Sequence, residues 1–129
     1  MVNVTALTQE DVDACPVRSV LVRVTGKWQI LILMTLTEGP HRFGALKRRI
    51  GDVTQRVLTE NLRTLEREGH ITRKVFAGPP LAVSYELAPS GKELAALLMP
   101  LVDWATENFD AITRRRAEYD TRADEEILV

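Results

Sequence analysis

The sequence is poor in the residues that build disulfide, metal and membrane structure. Cysteine occurs once, at Cys15, which excludes an intramolecular disulfide and any cysteine-rich zinc site. The two histidines, His41 and His70, lack metal-ligand spacing and read as surface polar residues, so no metal is expected. The apolar run of residues 30–34 is far too short to cross a bilayer. Residues 1–13 have neither the basic start nor the apolar core of a secretory signal, and the expected location is the cytoplasm, with no membrane partner. No glycine-rich phosphate loop is present, no carboxylate pair stands out, and Cys15 has no histidine at helical spacing. An enzyme is therefore the least favoured class, and no cofactor is expected.

What is present suits one soluble domain with a modest core: 129 residues, 45% hydrophobic and 27% charged. The net charge of -1 argues against a generally cationic nucleic-acid binder, but it hides a segregation. Residues 40–76 carry nine basic against four acidic side chains, whereas residues 77–129 carry five against ten. A basic middle with an acidic end is what a DNA face and a remote interface need, because neutralised phosphates dominate affinity.

Within the basic block, residues 54–69 read as one helix with both ends marked. Thr54 can cap the orphan N–H groups of the first turn, and Gly69 suits the position just past the last. Leu58, Leu62 and Leu65 form a narrow apolar stripe, with Arg56, Glu60, Arg63 and Arg67 roughly opposite. Arginine suits bidentate contact with guanine or phosphate, and a helix fits the major groove. Taken alone, the same pattern also describes an ordinary amphipathic helix with a solvated face.

The neighbouring segments sharpen the choice. Residues 1–14 read as a flexible arm, and Pro16 opens a helix predicted to run to about Thr25, with Val17, Val20, Leu21 and Val24 inward. A strongly apolar helix follows Gly26, contains Trp28 as a packing residue, and closes at Gly39-Pro40. Phe43–Ile50 reads as a short helix, and the turn Gly51-Asp52-Val53 joins it to the helix above. Two helices joined by so tight a glycine-containing turn, the second basic outward, are a helix-turn-helix signature.

After Gly69 the period changes. Ile71–Phe76 and Ala82–Leu87 read as a two-stranded hairpin, or wing, around a Gly-Pro-Pro loop. Arg73 and Lys74 on its first strand reach phosphate or a minor groove, or form a solvated strand face. The last helix starts at Ser90 or Gly91 and carries Leu94, Leu97, Leu98, Leu101, Trp104, Ala105, Phe109 and Ile112, with Pro100 expected to bend it. So long an apolar stripe suggests a homodimer interface. The predicted fold class is mainly α with a small β wing (α+β), a winged helix-turn-helix with flanking dimerisation helices. Residues 15–116 form that domain, and 117–129 a charged, frayed tail.

These residues together resemble the HxlR family of bacterial transcriptional regulators, winged helix-turn-helix proteins related to the MarR group. The resemblance runs over residues 15–104. It rests on Cys15-Pro16, Gly26-Lys27-Trp28, Gly39-Pro40-His41-Arg42-Phe43 with Leu46, then Thr54, Val57, Leu58, Leu62, Leu65-Glu66, Gly69, Arg73, Tyr85, Leu87 and Gly91. It implies a homodimer on a roughly palindromic double-stranded operator, with two recognition helices about 34 Å apart. By the family pattern the base-reading part is residues 54–63, and the DNA-binding candidates are Thr54, Gln55, Arg56, Thr59 and Arg63, with Arg42, Arg73 and Lys74 beside them. Gln55 suits adenine, Arg56 and Arg63 guanine or phosphate, Thr59 a thymine methyl or phosphate. One departure is the loop, where Leu81-Ala82 follows Pro79-Pro80 in place of the cation many relatives carry. Relatives with a cysteine at the position of Cys15 include redox or electrophile sensors. Here Asp11 and Asp13 disfavour a thiolate, Arg18 and a helix N-terminus favour it, and a structural role in packing the arm is the alternative. An oxidant or small molecule is thus a candidate inducer. The competing functional class is a winged helix used only for protein contacts.

Overall fold

A computed structural model describes residues 8–127, apart from the side chains of 11–13. The elements are α1 (Gln9–Ala14), α2 (Pro16–Ser19), a 3-10 turn (Leu21–Arg23), α3 (Lys27–Leu36), β1 (His41–Arg42), α4 (Phe43–Ile50), α5 (Gln55–Arg67), β2 (Ile71–Phe76), β3 (Ala82–Leu87) and α6 (Pro89–Ile127). The mainly helical, winged helix-turn-helix class expected above is the one found. The chain divides into two compact units, Met1–Ala96 and Leu97–Val129, with the division inside α6.

In the first unit α3 packs against both α4 and α5. Ile32, Leu33 and Leu36 of α3, Leu46 of α4, Val53 of the turn, and Leu58, Leu62 and Leu65 of α5 are buried together with Ile71. Removing each large aliphatic side chain from water stabilises the unit by about 1.5–3 kcal/mol. Polar contacts hold the helices in register. Gln29 Nε2 donates to Asn61 Oδ1 between α3 and α5, and Arg49 on α4 pairs with Glu38 beyond the end of α3.

Both ends of α5 have the geometry their residues predict. The Thr54 hydroxyl accepts from the Val57 N–H at 3.2 Å. At the far end Gly69 adopts φ +85°, His70 N–H reaches the Leu65 carbonyl and Gly69 N–H the Glu66 carbonyl, each at 3.0 Å, which is a Schellman closure.

Four expectations change. The helix predicted from Pro16 to Thr25 breaks into α2 and a 3-10 turn, and Val20, Leu21 and Val22 are exposed while Val24 alone is fully buried. Valine at 17, 20, 22 and 24 is a weak helix former, and the apolar side expected to compensate is not buried, since Val20 and Leu21 on it are exposed. The expected hairpin is a three-stranded antiparallel sheet in the order β1-β3-β2, because His41 and Arg42 pair with Tyr85 and Ser84. Gln9–Ala14, inside the segment expected to be an arm, is helical, and residues 1–7 lie outside the described ones. Helix α6 begins at Pro89 and continues through Pro100 to Ile127, well past the predicted fraying at 117. Its last stretch is rich in Arg, Ala and Glu, with Arg114–Glu118, Arg116–Asp120 and Arg122–Glu126 at i, i+4.

Among the described residues, no single helix is long and apolar enough to cross a membrane.

Candidate nucleic-acid interface

Helix α5 buries its leucines and leaves the opposite side open. Gln55, Arg56 and Arg63 are exposed and Thr59 is half-buried. At about 100° per residue Gln55, Glu66, Thr59 and Arg63 follow one another across about 80°, and Arg56, only about 20° beyond Arg63, continues into Arg67 and Glu60. Arg56 and Arg63 differ in their partners rather than in their place on the wheel. Arg56 is held by its own helix, its Nε donating to Glu60 at 3.1 Å. The Thr59 hydroxyl donates to the Gln55 carbonyl at 2.8 Å, leaving its oxygen lone pairs as acceptors.

The stripe from Gln55 to Glu66 faces the sheet across a hollow of about 410 Å³. Arg73, Val83 and Tyr85 of the sheet and Phe43 of α4 complete its lining. The register explains this. Arg73 pairs with Tyr85 and Val75 with Val83, so these side chains share the face of the sheet turned toward α5. Arg73 Nε lies 3.6 Å from Glu66 Oε2, an ion pair between wing and helix. Burial pushes the Tyr85 phenol above its usual 10.0, with Glu66 adding to the rise and Arg73 and Arg63 opposing it.

The other two candidate cations sit on the opposite side of the sheet. Arg42 and Lys74 both pair with Ser84 in neighbouring strands, forming a row Arg42-Ser84-Lys74 across the face that Arg73 does not share. Both are exposed. Of the nine cations in residues 40–76, Arg49, Arg56 and Arg73 have an acidic partner within 4.0 Å among the described residues. The remaining six, including Arg42, Arg63 and Lys74, leave a positive surface around α5 and the sheet.

The structure thus brings Gln55, Thr59, Arg63 and Arg73 together, leaves Thr54 and Arg56 at the open start of α5, and sets Arg42 and Lys74 apart. Sequence patterning missed Tyr85 and Glu66 as part of this constellation. The five-residue loop 77–81 carries the signal that finds Tyr85, since a hairpin closed at Phe76 and Ala82 sets Arg73 opposite Tyr85.

Residues 23–113 match the family described as HxlR-like helix-turn-helix. The chain belongs to that family. Similarity to HxlR-type proteins extends over most of the chain. The uncharacterised HTH-type transcriptional regulator YtfH of Escherichia coli K12 is 38% identical over 106 residues, 82% of this chain and 84% of that protein. The solved structure of ytfH from Salmonella typhimurium superposes with a TM-score of 0.79 at 33% identity, covering 91% of this chain and 99% of that one. The redox regulator HypR in its reduced form superposes with a TM-score of 0.71 at 31% identity, covering 77% of this chain and 98% of that one. This HxlR-type chain is accordingly a transcriptional regulator of the helix-turn-helix type.

Cys15 stands away from the stripe, as the residue preceding α2. It is 5% exposed, and its carbonyl accepts from the Ser19 N–H at 2.8 Å. Asp11 and Asp13, expected to act on its thiol, have side chains outside the described residues.

Proposed function

We propose that the protein is a homodimeric, sequence-specific DNA-binding transcriptional regulator acting in the cytoplasm, not an enzyme. The observation that carries this is the stripe Gln55-Thr59-Arg63 on the open side of α5, between a capped N-terminus and a cationic strand. Side chains able to read adenine, thymine and guanine edges follow one another at helical spacing there. Arg42 and Lys74, on the other face of the sheet, suit phosphate contacts that set register without reading sequence.

A second copy is the natural cover for α6. Leu97 is 72% exposed, Leu101 52%, Trp104 54% and Phe109 64%, a spacing that keeps large apolar groups on neighbouring turns of one helix. Dimerisation gives two α5 helices for two half-sites.

The decisive experiment is binding to labelled DNA from just upstream of the protein's own gene, against scrambled DNA, over a salt series. Preference for the upstream fragment, steep weakening with salt and loss in Arg63→Ala are the expected results. Equal affinity for both DNAs, repeated with other candidate operators, leaves the protein-contact reading in place.

A thiol-sensing role is a second reading, favoured by the likeness to HypR and by Cys15 lying at a helix start. Treatment with diamide, which takes up two electrons and two protons as the Cys15 thiols of two copies join in a disulfide, tests it. Loss of DNA binding on treatment, absent in Cys15→Ser, is the expected result. Binding indifferent to diamide assigns Cys15 to packing and leaves the DNA-binding proposal untouched.

A further inference from the structure

The hollow between α5 and the sheet is chemically lopsided. Phe43 and Val83 give it an apolar wall, while Arg63 and Arg73 bring two positive charges against the single carboxylate of Glu66. Glu66 is engaged by Arg73 at 3.6 Å, whereas Arg63 has no acidic partner within 4.0 Å among the described residues. The Tyr85 hydroxyl finds no acceptor among the described residues either, and a phenol is protonated, hence a donor, at neutral pH. A positively biased cavity with unspent donors calls for an anion.

Its size narrows the class. About 410 Å³ lies within the range of small-molecule pockets, roughly 300–1,000 Å³. A bare inorganic oxyanion, equivalent to a few waters at about 30 Å³ each, leaves most of that space unfilled. We propose that the hollow binds a small organic anion, its carboxylate or phosphate head held by Arg63, Arg73 and the Tyr85 hydroxyl and its apolar body resting on Phe43 and Val83. Guanidinium groups offer paired donors that match such a head, and the apolar wall adds area burial.

The consequence for regulation rests on the proposed DNA-reading role of α5, although the site itself does not. Gln55, Thr59 and Arg63 line the hollow and are the same side chains assigned to base contacts. An anion seated there takes Arg63 away from the groove, so ligand and DNA compete for shared donors without any change of fold.

The test uses the full chain, labelled with nitrogen-15, and benzoate as probe, with benzamide and inorganic phosphate as comparison arms. Benzoate is expected to shift the Nε–H signals of Arg63 and Arg73 saturably. Benzamide, which lacks the charge, and phosphate, which lacks the apolar body, are expected to do so at least about tenfold more weakly. Tyr85→Phe, which keeps the ring, and Arg73→Ala are each expected to weaken benzoate about tenfold. Equal response to benzamide, equal affinity for phosphate, or shifts confined to residues outside the hollow overturn the proposal. In the DNA assay described above, benzoate should raise the apparent Kd in proportion to its concentration, and a plateau overturns the shared-donor consequence. If the chain prefers no DNA, the nuclear magnetic resonance titration still decides the site, and if benzoate does not bind while DNA preference persists, only the anion site fails.

Discussion

Arg63 and Lys74 are both exposed cations, yet their positions assign them different work. Arg63 stands on the α5 stripe beside Gln55 and Thr59, while Lys74 lies on the sheet face that Arg73 does not share. Arg63→Ala is expected to cost about 1–3 kcal/mol of specific binding and to relax preference at one base pair, whereas Lys74→Ala weakens all sequences alike and lowers the salt slope by about one. A fluorescence titration over several operator variants and salt concentrations separates the two. Tyr85 makes a stability prediction. Its phenol is raised above 10.0 in the folded chain, chiefly by burial, so the native state holds that proton more tightly than the unfolded state. The stabilisation this represents is fully present below about pH 10 and is lost as pH rises through the folded value. Urea unfolding between pH 9 and 11, steps of about one unit on either side of the tyrosine value, should show a decline that Tyr85→Phe removes. A decline unchanged in the variant assigns it to other groups.

Helix α5 is set by its two ends. Thr54→Ala removes the 3.2 Å bond to Val57 N–H and is expected to cost about 1 kcal/mol, read as a shift in the denaturant midpoint. A larger cost is expected where α6 starts. A Cβ at Gly91 overlaps the backbone carbonyl of His70, a strand-entry residue that cannot swing aside because that carbonyl accepts from Ala88 N–H at 3.0 Å. Gly91→Ala should therefore destabilise by about 3 kcal/mol, the upper end for overpacking, and equal stability to the parent refutes the contact. His70 Nδ1 and Ser90 Oγ, 2.7 Å apart, fasten the same junction from the side chains.

At the scale of the whole molecule, the exposed apolar side chains of α6 carry the proposed dimer. Leu101 and Trp104, both more than half exposed, make the proposed dimer testable. Leu101→Glu with Trp104→Glu is expected to give a monomer in sedimentation at micromolar concentration, with helical content retained. DNA affinity should then fall by several orders of magnitude, since two linked half-sites bind far more tightly than one. A variant that remains dimeric moves the interface elsewhere, with the exposed Val20, Leu21 and Val22 the first place to look.

The sequence by itself determined the elements whose cause is local. Thr54 and Gly69 bracket α5, the leucine period sets its buried side, and β-branched and aromatic runs around a Gly-Pro-Pro loop yield β2 and β3 with the bounds expected. Only the tertiary structure decided which exposed residues act together. Arg56 and Arg63 look equivalent on a helical wheel, but Glu60 engages one and the hollow beneath the sheet receives the other. The two-residue strand β1 has no period to betray it and exists because β3 offered a free edge. Tyr85 joined the site through pairing with Arg73 across the wing, a relation between strands that no single stretch of chain contains. Caps, periods and turns arise from neighbours in sequence, whereas sites arise from packing, where distant side chains first meet.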